Sequence, residues 1–542
     1  MKKIPYILLP LFLLCACKKQ LNLYPLDAVS TANFFKTTGD YDLALNGLYD
    51  DMQGHGQGGL GGVYAGDLYW EVASDGMYFG FSWHTPYYDI SNGNLAPSTG
   101  NLSSLWDSGY KAISWSNTIL QKVDGNSALD AAFAKHIKGE ALFLRAATYL
   151  RLVSVYGDVP LVLTTLNLAN SKVSRTPADQ VYQQIVADFD AAAQLLDVTP
   201  YNGQKGRATK QAALGMKARA LIYAASPLFN TSNDLARWKT ALAACQAVVD
   251  LAGANANAIG LIPNYSDVFS LSNEDNKEIL FNIEYTSNNS SEGGNNELPF
   301  GPSKLSTQSG VAGSWGAAAI VPEYADSYLM KDGLTAATSP FYSAANPFLN
   351  RDPRFYTTFF LANYTVLSDG SLFYPFYLNS FAGSAYRTAY PISVRKGIDE
   401  NAKNQSYDNE QAPNFIVLRY ADVLLMLAEA ENEVNGPTAK AYSAVNQIRQ
   451  RAAMPILIPG LSQADLRTAI MNERKWELGY ESVRYFDIRR WKTAETVMNS
   501  LTKAASFGIA PPKHFYAPKN YFWPIATNSI DADPNLKQNT GY

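Results

Sequence analysis

The stretch NERKWELGYESVRYFDIRRW, from Asn472 to Trp491, combines many charges with many aromatic rings. Three carboxylates recur at every fourth residue, at Glu473, Glu477 and Glu481. A continuous helix would place them on one face. Three cations could pair with them or with a neighbouring helix, namely Arg474, Lys475 and Arg484. The apolar surface comes from Trp476, Tyr480, Tyr485, Phe486 and Trp491.

An exposed helix would not need these rings, and a buried helix could hold the charges only if they were paired and hydrogen-bonded. We therefore predict that the segment is a packed helix end with an ion-pair network. A catalytic cluster of glutamate and arginine is the alternative, although structural networks of this kind are far more common.

The same segment resembles the C-terminal signature of the SusD/RagB family of Bacteroidetes outer-membrane lipoproteins. The pattern consists of Glu473-Arg474, Glu477-Leu478, Glu481, Arg484-Tyr485-Phe486-Asp487 and Arg490-Trp491. Further matches to the family are Glu71-Val72-Ala73-Ser74-Asp75, Leu144-Arg145-Ala146, Tyr156-Gly157-Asp158-Val159-Pro160, Arg207-Ala208-Thr209, Arg419-Tyr420-Ala421-Asp422, Trp523-Pro524-Ile525 and Gln538-Asn539-Thr540-Gly541-Tyr542. Their order and spacing extend the resemblance over nearly the whole chain.

The resemblance implies a mainly α, SusD-like fold of tetratricopeptide-like helix pairs. It also implies a non-catalytic protein held on the outer membrane by a lipid and facing the cell surface. Such a protein caps a SusC-like TonB-dependent transporter and helps to deliver an oligosaccharide or, in some relatives, a peptide.

Composition and charge exclude several other classes. The net charge is -4 and no long run of Lys or Arg occurs, so nucleic-acid binding is not expected. The three cysteines, at positions 15, 17 and 245, form no disulfide framework or Cys-based metal site. The four histidines, at positions 55, 84, 136 and 514, match no metal spacing. We therefore predict no metal and no cofactor.

The N-terminus predicts export and lipidation. Lys2-Lys3, a short apolar run and a small residue before Cys17 are typical of a secretory signal, here residues 1–16. Leu14-Cys15-Ala16-Cys17 also resembles a bacterial lipobox, in which Cys17 would carry the lipid. An ordinary signal peptide is the alternative. Lys18-Lys19 is not the acidic tract often found after the cysteine of surface lipoproteins, which leaves the leaflet open.

Periodicity divides the rest into three parts of one integrated unit. Residues 17–252 are predicted to be helical, apart from a loop over 53–100. Residues 253–414 are rich in Asn, Ser, Gly and aromatics and predict ordered irregular structure with short strands. Residues 415–542 return to helices, beginning with one over Phe415 to Val434, and end in a tail that packs on the body.

The loop over 53–100 is the predicted ligand site, because its glycines punctuate a crowd of aromatic rings. Sugar rings stack on flat aromatics, and their hydroxyls need polar partners. The resemblance implies a site built from this loop and a later one. The predicted contacts are Tyr78, Phe81, Trp83, His84, Tyr87, Tyr88 and Asn92, joined by Trp315 from the later loop.

The sequence leaves three alternatives to glycan binding by this loop. Several of these rings could simply fill a core. The carboxylates Asp67, Glu71 and Asp75 are four residues apart and could line one helix face, as a glycoside hydrolase would need two carboxylates close together. A helical-repeat scaffold for a peptide or protein would share the same fold.

Overall fold

The computed structural model describes residues 34–53, 62–64, 68–79, 86–286, 318–367, 370, 372, 392–399, 413–503 and 513–542. Sixteen α-helices occur in these residues: α1 Thr38–Gln53, α2 Tyr69–Val72, α3 Tyr87–Ser91, α4 Ser104–Asp124, α5 Ala131–Tyr156, α6 Ala178–Leu195, α7 Lys210–Ala225, α8 Leu235–Ala254, α9 Pro322–Asp326, α10 Arg354–Thr358, α11 Tyr420–Asn435, α12 Ala439–Arg451, α13 Gln463–Glu477, α14 Arg484–Arg490, α15 Ala494–Asn499 and α16 Thr527–Ala532. Short 3₁₀ turns cover Tyr201–Gly203, Ser266–Phe269, Leu271–Asn273 and Lys519–Tyr521.

Six short strands form three antiparallel pairs in the described residues. The strands are β1 Met77–Phe79, β2 Ile279–Ile283, β3 Ala318–Ile320, β4 Phe359–Leu361, β5 Ile392–Val394 and β6 Phe415–Arg419. β1 pairs with β3, β2 with β6, and β4 with β5. The predicted combination of helix pairs with short strands in an irregular region is therefore confirmed.

Consecutive helices from α4 to α8 pack side by side, and α8 packs on α11, which carries the packing to α12 and α13. Small residues allow neighbouring elements to approach closely. A Cβ added at Gly139 on α5 would lie 2.8 Å from Leu196 Cδ2, and one at Gly215 on α7 would lie 2.5 Å from Leu418 Cδ2. Both glycines are therefore required by packing.

The structure corrects two helix predictions. Residues 415–419 form strand β6 and not the first turn of a helix, because their backbone completes a ladder with β2. The predicted helix over 472–491 is broken. α13 ends at Glu477, and Tyr480 and Ser482 have positive φ of 62° and 61°, which a helix cannot accommodate. Glu481 therefore does not share a helix face with Glu473 and Glu477.

The three glutamates nevertheless meet in one buried cluster, which confirms the predicted ion-pair network. Its carboxylates belong to Glu278, Asp352, Glu473, Glu477 and Glu481, and its cations to Arg354, Lys396, Arg419, Arg449 and Arg451. Five charges of each sign are thus present, and no side chain in the cluster is more than 6% exposed. We call this group the balanced cluster.

Arg419 lies at the centre of the balanced cluster. Its Nε lies 2.6 Å from Glu481 Oε2, and its Nη1 lies 2.6 Å from Glu477 Oε1 and 2.8 Å from Glu278 Oε1. Burial alone would raise the pKa of Glu477, but three arginines outweigh it and hold that pKa well below its usual range. Charges that would be costly alone therefore stabilise one another.

The predicted partners Arg474, Lys475 and Arg484 pair elsewhere. Arg474 joins Asp422 and Asp487, which belong to a second buried group. That group contains three carboxylates, Asp422, Glu429 and Asp487, and three arginines, Arg219, Arg474 and Arg490. It ties α7, α11, α13 and α14 together.

The predicted packing of the C-terminal tail on the body is confirmed, and Arg145, Trp70 and Cys245 are buried. Arg145 is a buried ion partner, with its Nε 2.8 Å from Asp188 Oδ2. Trp70 and Cys245 lie in the core. The C-terminal tail packs on the body, where Trp523 and Ile525 are buried.

Candidate ligand-binding site

The β1–β3 ladder brings two distant parts of the chain together. Its register pairs Met77 with Ile320 and Phe79 with Ala318. Phe79 is the last described residue before 80–85, and Ala318 is the first one after 287–317. Because the strands are antiparallel, both stretches join the ladder at the same end. Trp83 follows Phe79 by four residues, and Trp315 precedes Ala318 by three.

Aromatic packing makes the base of this region rigid. The rings of Tyr69 and Tyr87 stack at 3.6 Å between centroids with 16° between their planes. Phe79 also packs near Tyr87, with 5.7 Å between the centroids of the two rings. Trp70 stacks on Tyr485 at 5.5 Å, which joins α2 to α14. The strand that leads to residue 80 is therefore anchored to the core.

Half of the predicted ligand contacts can be placed. Tyr78, Tyr87 and Asn92 are buried, and Tyr88 is half-buried. The structure gives Tyr87 a packing role, since its ring has no exposed face. The remaining predicted residues Phe81, Trp83, His84 and Trp315 lie outside the described residues, as does Cys17. Ligand contact at all eight positions stays a prediction.

A buried group of charges lies beneath the ladder and holds it in place. Arg484 Nε lies 2.7 Å from Asp75 Oδ1, and Lys475 Nζ lies 3.5 Å from Asp75 Oδ2. Glu71 Oε1 accepts a hydrogen bond from the Ser482 backbone N at 3.0 Å. The Lys513 ammonium donates a hydrogen bond to the Val72 carbonyl oxygen. We call Glu71, Asp75, Lys475, Arg484 and Lys513 the ladder cluster.

The ladder cluster depends on Gly76. A Cβ there would lie 2.7 Å from Glu71 Oε2, so a larger residue would displace that carboxyl group. The Gly76 carbonyl oxygen accepts hydrogen bonds from Tyr480 Oη at 2.9 Å and from Val321 N at 3.0 Å. One residue thus joins the C-terminal signature to both strands of the ladder.

The titration of the ladder cluster is strongly perturbed. Burial raises the pKa of Glu71 to about 7, and the nearby Asp75 adds to that rise. Burial also lowers the pKa of Lys513 to about 7 and that of Lys475 to about 8. Burial alone would raise the pKa of Asp75, but Arg484 and Lys475 outweigh it and hold it well below its usual range.

Local sequence patterns did not indicate Lys513 or the pairing of Asp75 with Arg484. The resemblance of residues 71–75 to the family was the one available signal. Partners that are 409 residues apart leave no trace in local periodicity.

The geometry does not favour the hydrolase alternative. α2 covers only Tyr69–Val72, so Glu71 and Asp75 do not share a helix face, and Asp67 lies outside the described residues. Glu71 is 0% and Asp75 is 3% exposed, so neither carboxyl group can reach a polysaccharide in this arrangement. Their contacts are those of a structural network. Within the described part of the chain, no group of three His, Cys, Asp or Glu residues could hold a metal ion.

Two family models match the chain. One, described as the SusD family, matches residues 277–542, and the other, described as starch-binding associating with outer membrane, matches residues 48–222. The chain belongs to the SusD/RagB family. SusD-like protein P25 of Formosa agariphila is 27% identical to it over 581 residues, which include 100% of both chains.

Solved structures of SusD-like proteins superpose on this chain. A SusD-like carbohydrate binding protein from Bacteroides fragilis is 26% identical, with a TM-score of 0.77 over 93% of this chain and 100% of that one. A second SusD-like protein from the same species is 24% identical, with a TM-score of 0.77 over 96% and 100%. The predicted mainly α, SusD-like fold is therefore confirmed. None of the described helices has both the length and the apolar character needed to cross a membrane.

Proposed function

We propose that this SusD-family chain is a non-catalytic glycan-binding lipoprotein, and that its ligand site is formed by the two stretches that meet at Phe79 and Ala318. The observation that carries the proposal is the register of the β1–β3 ladder, which pairs these two residues. Chain connectivity then ties Trp83 and Trp315 to the same end of the ladder.

The chemistry of this region suits a sugar. Indole rings offer flat apolar faces for the C–H faces of a sugar ring, and amide or imidazole groups nearby can bond its hydroxyls. Stacking contacts are worth about 0.5 to 1.5 kcal/mol each beyond area burial, so a few of them give affinities of about micromolar to millimolar. The SusD-like carbohydrate binding protein of B. fragilis, at 26% identity, supports this ligand class.

The second part of the proposal concerns location and partner. Lipidation at Cys17 would hold the protein on the outer membrane, in keeping with the family description that matches residues 48–222. A SusC-like TonB-dependent transporter beneath it would then take up the captured oligosaccharide. Tethering beside the transporter offsets weak affinity, because it raises the effective concentration of ligand.

Affinity electrophoresis against a panel of plant, host and microbial polysaccharides tests the ligand class. We expect at least one polysaccharide to retard the protein, and Trp83→Ala to abolish that retardation. Trp115→Ala is the matched control, because Trp115 is a 37% exposed tryptophan on α4 and lies outside the ladder region. Retardation that survives Trp83→Ala contradicts the site, and retardation by no polysaccharide contradicts the ligand class.

Two further measurements test the remaining parts. Purification from native membranes should recover a TonB-dependent transporter with the protein, and its absence contradicts the uptake role. Incubation with the retarding polysaccharide should release no new reducing ends. Release of reducing ends would contradict the non-catalytic role.

A further inference from the structure

A cleft of about 620 Å³ lies between the start of α6 and the C-terminal segment. Phe229 and Phe522 line it as half-buried rings, with 5.7 Å between their centroids. Gly157 lies against the Phe522 ring, since a Cβ there would come within 3.2 Å of it. None of the residues that line the cleft belongs to the β1–β3 ladder. The size suits a small organic ligand.

Positive charge dominates this cleft. The cations that line it are Arg175, Lys492 and Lys519, and the carboxylates are Asp158 and Asp179. Asp179 is already engaged, because both of its oxygens lie 2.8 Å from the guanidinium of Arg237. Three cations therefore face one remaining carboxylate. A cleft lined by one sign of charge raises the local concentration of oppositely charged ligands.

The guanidinium of Arg175 is held by uncharged groups. Its donors reach only neutral oxygens, namely the carbonyls of Tyr156, Asp158 and Lys537 and the Asn539 side chain. Among the described residues, no carboxylate forms a salt bridge with it. Burial lowers the pKa of Arg175, and the nearby Asp158 carboxylate only partly offsets that effect.

A second arginine lies close to Phe522, one of the two rings that line the cleft. Arg489 is 1% exposed and donates to the carbonyl oxygens of Ser154, Val155 and Tyr521. Its guanidinium lies 5.8 Å from the centroid of Phe522. Burial lowers the pKa of Arg489 as well. The buried positive charge of Arg489 therefore lies next to the Phe522 ring.

We propose that this cleft is a second ligand site, which takes an anionic sugar residue. Lys492 and Lys519 would bind its carboxylate or sulfate group, and the Phe522 ring would receive its C–H face. Charge-assisted bonds to an ammonium supply the attraction, and the ring sets the orientation. The proposal rests on the glycan-binding function proposed above and narrows its substrate class to acidic glycans.

Isothermal titration calorimetry with two pairs of probes tests the proposal. The first pair is short oligogalacturonides and their methyl esters, which share a backbone and differ in charge. The second pair is sulfated galactan oligosaccharides and their desulfated forms. We expect the anionic member of one pair to bind about tenfold more tightly than its neutral counterpart, and to weaken as salt is added. The pair that responds identifies the anionic group as carboxylate or sulfate.

Variants then locate the site. Lys492→Glu should weaken anionic binding about tenfold, and Lys239→Glu, the same change on the exposed face of α8, should not. The unfolding temperature of both variants checks that they fold. Equal binding of charged and neutral probes, or equal losses in the two variants, overturns the proposal.

Failure of this site can be told apart from failure of the function. If Trp83→Ala abolishes anionic binding and Lys492→Glu leaves it intact, the anion binds near the ladder and the cleft proposal is wrong, while glycan binding stands. If no probe and no polysaccharide binds, both proposals are wrong.

Discussion

The balanced cluster and the cleft differ in how their cations are paired with carboxylates. In the balanced cluster, five buried cations meet five buried carboxylates, and each carboxylate lies near at least one cation. At the cleft, three cations face one remaining carboxylate, and Arg175 is satisfied by neutral oxygens. The cleft is open to solvent and the cluster is not.

This difference separates charges that stabilise the fold from charges that remain available to bind a ligand. A buried ion that loses its partner is strongly destabilising, whereas an exposed cation costs little to keep or to lose. The ladder cluster lies between the two, because it is buried but contains two carboxylates and three cations. Burial is the main cause of the perturbed pKa values of Glu71, Lys475 and Lys513.

The largest expected effect comes from removing the central cation of the balanced cluster. Arg419→Met leaves Glu278, Glu477 and Glu481 without a shared partner and should lower the free energy of unfolding by about 3–5 kcal/mol. Urea denaturation measures the change. The control is Arg467→Met, which breaks a surface pair with Glu433 and should cost about 1 kcal/mol or less. Equal losses in the two variants would remove the distinction between the regions.

An intermediate effect is expected in the ladder cluster, and it depends on pH. The pKa of Glu71 rises from 4.5 to about 7 on folding, so the folded protein retains a proton that the unfolded chain releases in this window. Its contribution to stability is complete below pH 4.5 and is lost as the pH rises through about 7. Glu71→Gln should therefore be more stable than the wild type at alkaline pH, by about 3 kcal/mol at most, and the difference should vanish in acid.

Urea denaturation at several pH values tests this effect. Glu495→Gln is the control, because Glu495 is exposed and the same amide exchange there should change little at any pH. A Glu71→Gln variant that is less stable than the wild type at every pH would show that the ionised carboxylate is required.

The smallest effect on stability is expected at the cleft. Lys492→Met removes one of three cations that lack a salt-bridge partner among the described residues, so the free energy of unfolding should change by about 0.5 kcal/mol or less. Thermal unfolding of the variant beside the wild type measures it. A loss as large as that of Arg419→Met would mean that the cleft cation is structural, and the comparison would fail.

Periodicity predicted most of the long helices correctly. It predicted that residues 17–252 are helical outside one loop, and long helices such as Ser104–Asp124 and Ala131–Tyr156 lie there. It failed where tertiary contacts outweigh local pattern. The apolar run 415–419 became a strand because β2 lies beside it, and the break after Glu477 depends on backbone angles at Tyr480 and Ser482 that no helical spacing reveals.

The candidate site was less accessible to sequence reasoning. Glycine punctuation and aromatic crowding located the loop, but strands of three residues, such as β1 and β3, carry no measurable alternation. Their pairing joins segments that are far apart in the chain, and the burial of Tyr87 against Tyr69 is a tertiary contact within the loop itself. The composition of the loop therefore identified a region, and its packing residues could not be distinguished from exposed ones.

The salt bridge between Asp75 and Arg484 affects the order in which the chain can fold. The two residues are 409 positions apart, and Tyr480 reaches Gly76 across 404. A growing chain therefore has to hold residues 68–79 in an incomplete state until Tyr480 and Arg484 have been made. Contacts of such long range slow folding and prolong the exposure of apolar surface. We expect a chain that ends at residue 479 to be aggregation-prone, even though the sequences of its first thirteen helices would be complete.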